Sequence, residues 1–408
     1  MGIVKKPKLK MYWSRDVMIE TDFFNKTMPR DRALQILRYL HFADNERADP
    51  NDRLAKVRPV LDKLVANFKE NYIPSQETST DESLLKFKGR LKFRQNNRMK
   101  RARFGIKVYK VCQSTGNAAG YTCNLKIYTG QDRTNEDPAS TAVVLELNHH
   151  LLNKGYNIFI DNWYSSPDLF IRLHQAKTNV CGTVRSNRKG MPVELRTVKL
   201  RKGEVEYRSC NEGLLALVWK DKTDVRMLST MNNAQMIDTG KNDKHGKVIR
   251  KPQCVITYNL GMGGVDISDQ MSATYHSVRK YVKWYKKLFF YIFDMAVLNS
   301  FFIYKELGGK IQLLDYKIKL VKEILVSCVL PTYSTRGRPH SLPSPARLSG
   351  RHFPEALPST EKTINPCKRC TRCYSTGQRK ETRYQCDICK TPLCVHPCFK
   401  DYHTKRNN

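Results

Sequence analysis

Between Leu84 and Val184 the chain alternates strand-like and helix-like runs in an order that few folds accept. Leu84–Phe93, Phe104–Cys112 and Tyr121–Tyr128 have strand character, with Gly116 and Asn117 supplying a turn. Ser140–Leu152 reads as a helix and Asn157–Ile160 as a short buried strand. Pro167 then starts a helix that runs through His174, and Asn179–Val184 reads as a fifth strand.

Three strands, a helix, a strand, a helix and a strand is the order of an RNase H-like core, so an α/β fold is expected. Four aspartates lie where such a core would deliver side chains to a cleft. Asp81 stands at the mouth of the first strand-like run, and Asp161 ends the apolar run Tyr156–Ile160. Asp266 and Asp269 lie in Gly-Gly-Val-Asp-Ile-Ser-Asp-Gln, three apart, so on a helix they share a face. Taken singly, each could be a helix cap or a surface turn. Taken jointly, converging carboxylates repel unless a cation lies between them. Two hard divalent ions, Mg²⁺ or Mn²⁺, would take these oxygens and clamp a phosphate undergoing in-line displacement. Asp81, Asp161 and Asp266 would hold them, with Asp269 as a further ligand or just behind.

Charge points to the same substrate. With 72 Lys and Arg against 38 Asp and Glu, the formal charge is +34, which calls for a polyanionic partner. Eleven of the basic residues fall between Lys86 and Lys110 with no acid among them and with Phe87, Phe93, Phe104 and Tyr109 interleaved. Lys86, Lys88, Arg90, Lys92, Arg94, Arg98, Lys100, Arg101 and Arg103 are the candidate backbone contacts to double-stranded DNA. Trp163 and Trp284 are candidates for stacking on bases, with core packing an equal alternative. Arg336-Gly337-Arg338-Pro339 could lie in an A·T minor groove, although chance accounts for it better. The most apolar run, Leu288–Tyr304, is interrupted by Asp294 and Asn299 and reads as a buried core helix, so no membrane partner is expected.

Six segments follow. Residues 1–80 read as a partial helical region for DNA binding and dimerisation, with Leu54, Val57, Leu61, Leu64, Val65 and Phe68 at helical spacing. Residues 81–184 form the first part of the core, 185–261 a β-rich insertion that includes a strand-like piece at Cys254–Tyr258, and 262–330 the last part of the core with further helices. Residues 331–366, with seven prolines and many Ser and Arg, suit a linker. Residues 367–408 hold seven of the thirteen cysteines. Pairs two residues apart bite one tetrahedral zinc, and interleaved pairs would hold two structural ions in a cross-brace. Cys370, Cys373, Cys386, Cys389, Cys394, Cys398 and His403 are the expected ligands, His396 the eighth and Cys367 a spare. The other six cysteines are scattered singly, as in a reducing compartment, and an intracellular, nuclear protein is expected.

At TDESLLKFKGR, IFIDNWYSSPDLF, CGTVRSNRKGMP and TYNLGMGGVDISDQM, and in its cysteine-rich tail, the chain resembles the piggyBac family of transposases and the proteins derived from them. The resemblance implies a DDE-type catalytic core with an inserted domain, flanking helical regions used for DNA binding and dimerisation, and a cross-brace zinc domain. It also implies Mg²⁺-dependent cutting, excision through hairpin ends and insertion at TTAA. On it, Asp81, Asp161 and Asp266 match the catalytic aspartates and Asp269 a fourth required acid. Met1–Ser14 matches the middle of the family's helical region. The expectation is therefore that its upstream half and an acidic N-terminus are missing, and that synapsis of two ends, which needs those helices, is impaired. A domesticated, non-catalytic protein that binds DNA, or chromatin through the zinc domain, is the alternative function.

Overall fold

The computed structural model describes residues 1–96, 103–130, 136–242, 244, 246, 248–328, 345–348, 350–361 and 363–405. They fall into two compact units, Met1–Pro331 and Thr332–Asn408.

The first unit begins with α1 (Asp22–Thr27), α2 (Arg30–Tyr39) and α3 (Arg58–Glu70). Leu61 and Phe68 bury one face of α3, while Leu54 and Val57, in phase with them, are buried in the turn just before it. The core follows as β1 (Glu77–Lys86), β2 (Gln95–Asn96), β3 (Phe104–Gln113), β4 (Thr122–Ile127), α4 (Ala139–Asn148), β5 (Asn157–Ile160), α5 (Pro167–Gln175) and β6 (Asn179–Thr183). Then come α6 (Val193–Thr197), β7 (Val205–Ser209), β8 (Leu215–Lys220), β9 (Asp224–Ser229), β10 (Met236–Asn242) and β11 (Val248–Pro252). Helices α7 (Gln253–Gly261), α8 (Gly264–Thr274), α9 (Trp284–Glu306) and α10 (Leu313–Ser327) close the unit.

Among the described residues nine strands form one mixed sheet, in the order β2-β3-β1-β5-β6-β9-β8-β7 with β4 also paired to β3. Strands β1, β3 and β4 are antiparallel, and β1, β5 and β6 run parallel. That is the RNase H-like order expected from the sequence. The parallel strands are apolar on both sides because both are covered. Ile158, Ile160 and Val180 meet Leu169, Phe170 and Leu173 of α5. Phe159 and Cys181 meet Cys254 and Val255 of α7 on the opposite side.

The structure differs from the sequence reading in three elements. Strand β1 begins at Glu77, so Asp81 lies within it rather than at its mouth; Thr78, Ser79 and Thr80 are small polar residues that are nonetheless fully buried. Cys254–Tyr258 is the start of α7, not a strand: Pro252 precedes its first turn, and Cys254, Val255 and Gly261 bury one side against the sheet. The segment after β6 does not stand apart, because β9 pairs antiparallel with β6 and β8 and β7 continue the same sheet. Only β10 and β11 make their own two-stranded ladder there among the described residues.

Helix α9 is long and apolar enough to cross a bilayer, but it is the central helix of this unit. Leu288, Ile292 and Met295 pack with Ile106 and Val108 of β3, and Leu298, Phe301 and Phe302 join the main core. Two of its buried polar residues are paired. Asn299 exchanges hydrogen bonds of 2.9 Å with the backbone N–H and C=O of Thr122, and Asp294 accepts from Ser277 N and Oγ.

The second unit contains β12 (Pro354–Ala356), β13 (Lys368–Arg369), α11 (Thr371–Ser375), β14 (Glu381–Thr382), β15 (Tyr384–Cys386) and α12 (Cys398–Thr404). Strand β12 pairs with β15, so residues expected to be linker are built into this unit.

Candidate acid site and candidate metal centres

The sheet register brings Asp81 and Asp161 abreast. The last parallel pair between β1 and β5 is Thr80 with Ile160, and each aspartate is the next residue. Adjacent strands lie about 4.8 Å apart, and side chains two residues apart share a face. Asp81 therefore faces the same side as Ser79 and Ser83, and Asp161 the same side as Phe159. That side carries α7 and α8. A Cβ on Gly261 of α7 would strike the Phe159 ring, and one on Gly264 of α8 would stand 2.6 Å from the Gln113 carbonyl oxygen and 2.7 Å from Ser79 Oγ. Strand β5 stops at Asp161 because its carboxylate accepts from Trp163 N at 2.8 Å and its carbonyl accepts from Ser165 Oγ at 2.9 Å, forming a turn. The cap reading of Asp161 is thus part of its geometry.

Helix α8 runs along β1. Its first residue, Gly264, lies over Ser79, and Asp269 accepts from Ser83 Oγ at 2.7 Å. At about 100° per residue, Ile267 points toward the β3–β4 turn, where Gly120 meets it, and Asp266 lies beyond Asp269 on the β5 flank. Asp266 is exposed in the first turn, where the helix dipole favours an anion. Burial first, with the charges of Asp161 and Asp81 adding, pushes the Tyr258 hydroxyl of α7 up to about 12. The register therefore sets Asp81 and Asp161 side by side just past the last parallel pair, with Asp266 exposed in the first turn of α8. Among the described residues they do not form a set with oxygens within 4.8 Å of one another.

The donor set suits a hard divalent ion. Burial, and then the charge of Glu82, hold the Asp161 carboxyl above its ordinary value, so the site carries an electrostatic cost that a cation would offset. Asp269 differs from the other acids. Its Oδ1 also accepts from Lys110 Nζ at 2.6 Å, and Lys110 is 0% exposed. Burial presses the Lys110 ammonium toward neutrality, but Tyr291 and Asp269 hold its pKa above the ordinary value.

Two sequence expectations change here. Lys110 was counted in the basic hairpin, but it points inward, and Lys107 lies over the rings of Tyr109 and Trp163 at 4.6 and 4.5 Å. Trp163, half-buried, stacks on Tyr109 at 6.0 Å and Trp284 packs edge-on against Phe93 at 5.6 Å, so both tryptophans have ring partners within the unit. Lys86, Lys88, Arg90, Lys92, Arg94 and Arg103 are exposed, with Phe87 and Phe93 buried beneath them. Arg98, Lys100 and Arg101, like Arg336–Pro339, lie outside the described residues. Sequence reasoning missed Lys110, Glu82 and Tyr258. The one signal for Lys110 was its place between the apolar residues Val108-Tyr109 and Val111-Cys112.

In the second unit, two sets of four side chains each bring their ligand atoms within 4.8 Å. One is Cys370, Cys373, Cys394 and Cys398; the other is His352, Cys386, Cys389 and His403. The order along the chain interleaves the sets, as in a cross-brace. Sulfurs at about 2.3 Å from one tetrahedral ion stand about 3.7 Å apart, and Cys373 and Cys398 Sγ are 3.5 Å apart. His352 Nδ1 lies 3.4 and 3.5 Å from the sulfurs of Cys386 and Cys389. His403 Nδ1 donates to Phe399 O at 2.8 Å, which leaves Nε2 as the ligand, 3.7 Å from Cys389 Sγ. Burial alone would raise the Cys370 thiol, but the backbone N–H groups of Cys373 and Cys394 bring it down to about 7. These thiol-rich sets could hold zinc. The eighth member is His352, not His396, which is exposed and outside both sets; Cys367 is also outside them.

Sheet order and register define an RNase H-like core. The Transposase IS4 family matches residues 1–301, and the chain belongs to that family. The resemblance to piggyBac proteins holds across the chain. It is 25% identical over 419 residues to human PiggyBac transposable element-derived protein 3, covering 99% of this chain and 68% of that protein. It is 27% identical over 318 residues to human PiggyBac transposable element-derived protein 2, covering 74% of this chain and 53% of that protein. A cryo-EM structure of a piggyBac transposase synaptic complex with hairpin DNA matches with a TM-score of 0.70 and 27% identity, over 96% of this chain and 83% of that one. Membership of this family implies divalent-metal chemistry.

Proposed function

We propose that this chain binds double-stranded DNA in the nucleus and cuts and rejoins it as a metal-dependent, cut-and-paste transposase. The observation that carries this reading is the placement of Asp81 and Asp161 side by side on the face crossed by α8, with Asp266 on the adjoining flank of that helix. Asp81, Asp161 and Asp266 would hold two Mg²⁺ or Mn²⁺ ions. When bound, such ions lower the pKa of an attacking water or 3′-hydroxyl and stabilise the departing oxygen. Asp161 is turned into the site by its bond from Trp163, and Asp81 by one from Glu82 N at 2.7 Å. The exposed Lys86, Lys88, Arg90, Lys92, Arg94 and Arg103 would neutralise the DNA backbone alongside. The structural relative is a synaptic complex with hairpin DNA, which supports DNA as the substrate; a homodimeric assembly belongs to the same proposal. Insertion at TTAA belongs to the same reading. Two zinc ions in the second unit would be structural, because protein side chains fill all four positions of each set.

A second reading, a domesticated non-catalytic protein that binds DNA or chromatin, is favoured by the spacing of the acids beyond joint ligand distance. One assay separates them. Zinc-loaded chain is incubated with supercoiled plasmid carrying TTAA sites, with Mg²⁺ or Mn²⁺. Nicking by the native chain that disappears in Asp161→Asn, with plasmid binding retained, supports the enzyme. Binding without nicking decides for the non-catalytic protein.

A further inference from the structure

The buried Lys110 has no part in the proposed chemistry, yet it lies at the centre of the acid site. It is the direct cross-strand partner of Asp81, fully buried, and bonded to Asp269 Oδ1 at 2.6 Å and to Ser268 Oγ at 3.4 Å. Ser83 Oγ fills the same carboxylate oxygen from β1 at 2.7 Å. A buried ammonium persists only when paired, and withdrawing its partner leaves an uncompensated charge inside the protein. Asp269 therefore cannot turn this oxygen toward a metal without stranding Lys110. We propose that Lys110 and Asp269 form a buried charge latch that fixes α8 across β1 and β3, making them positioning residues for Asp266 rather than metal ligands. This rests on the reading of Asp81, Asp161 and Asp266 as a divalent-ion site.

The geometry suits a latch. Asp266 is one helical turn from Asp269, about 4.5 Å along the axis, so a slip of the helix on the sheet moves Asp266 by the same amount. A salt bridge also fixes register in a way that an apolar contact of equal volume does not. The latch bonds the helix to two different strands through one oxygen, and so sets its position in two directions.

The test uses the zinc-loaded full chain, with Mn²⁺ binding followed by EPR and amide hydrogen exchange followed over α8. Asp269→Asn removes the counter-charge of Lys110. We expect it to weaken Mn²⁺ binding by about tenfold or more and to speed exchange in α8 by at least about tenfold. The double variant Lys110→Met/Asp269→Leu removes both charges and refills the space; it should return both readouts to within about threefold of the native chain. If the double variant binds Mn²⁺ as poorly as Asp269→Asn while its α8 exchange is native, Asp269 is a ligand and the proposal falls. It also falls if α8 exchange is unchanged in Asp269→Asn. Should Asp269→Asn fail to fold, the double variant still decides between latch and ligand. Asp161→Asn is the control for the underlying reading: if it leaves Mn²⁺ binding unchanged, the divalent-ion site is refuted, and the exchange measurement alone judges the latch.

Discussion

The closeness of α8 to the sheet gives a direct test of how the acid site is built. Gly264→Ala would place a methyl group 2.6 Å from the Gln113 carbonyl oxygen, where ordinary contact begins at 3.4 Å. Backbone cannot move aside as a flexible side chain does, so the helix must retreat by about 0.8 Å, from 2.6 to 3.4 Å. Overpacking of this kind costs about 1–3 kcal/mol. The retreat carries Asp266 with it, and a displacement of about 1 Å can cost about 100-fold in rate. Gly263→Ala is the matched control: a Cβ there has as its nearest neighbour Ile267 Cδ1 at 4.0 Å, and its backbone is ordinary, with φ −74°. We expect Gly264→Ala to lower both urea stability and the plasmid nicking rate, with the rate falling far more than lost folding explains. Gly263→Ala should stay near the native chain in both. Equal effects of the two substitutions would refute the argument that close approach of α8 positions the acid.

Two further outcomes follow from the charges and ligand sets. Asp161 has its carboxyl held above the ordinary value of 3.8 by burial and then by the charge of Glu82, so the folded state favours its protonated form. The resulting penalty is absent in acid and grows as pH rises through the folded-state value. Without added divalent ions, Asp161→Asn should therefore unfold at a higher temperature than the native chain at neutral pH, with the gap closing toward pH 3.8; no gain at neutral pH would contradict the assignment. In the second unit, His352→Ala should reduce bound zinc from about two ions per chain to about one, while His396→Ala retains both, read by metal analysis after dialysis. The opposite result would restore His396 as the ligand.

The strands β3 to β6 were legible in the sequence because apolar residues cover both of their faces, and hydrophobic pattern reports burial. The first half of β1 was not, since Thr78, Ser79 and Thr80 are buried without being apolar. Helix α7 was hidden by its composition: Val255, Ile256 and Thr257 are β-branched residues of strand type, and contact with β5 and β6 overrides that preference. Asp161 and Asp266 were placed by the sequence, one after an apolar run and one at a helix start, but the pairing of Asp269 with a buried lysine was not legible. Its partner Lys110 looked like one charge among eleven, and only the sheet register turns it inward. Cysteine spacing disclosed seven of the eight metal-set members. His352 escaped because it lies 15 residues before the first cysteine of the run, in a segment whose prolines suggest linker.

The pairing of β9 with β6 has a mechanical consequence. A module attached through a loop can swing as a flap, whereas one joined by a continuous hydrogen-bonded ladder shares the stiffness of its host. Load applied at β7 would be borne across β8, β9 and β6 to the strand that ends in Asp161. Whatever grips that outer border is therefore braced against the acid-bearing strands, and reshaping it means bending the whole sheet rather than turning a hinge.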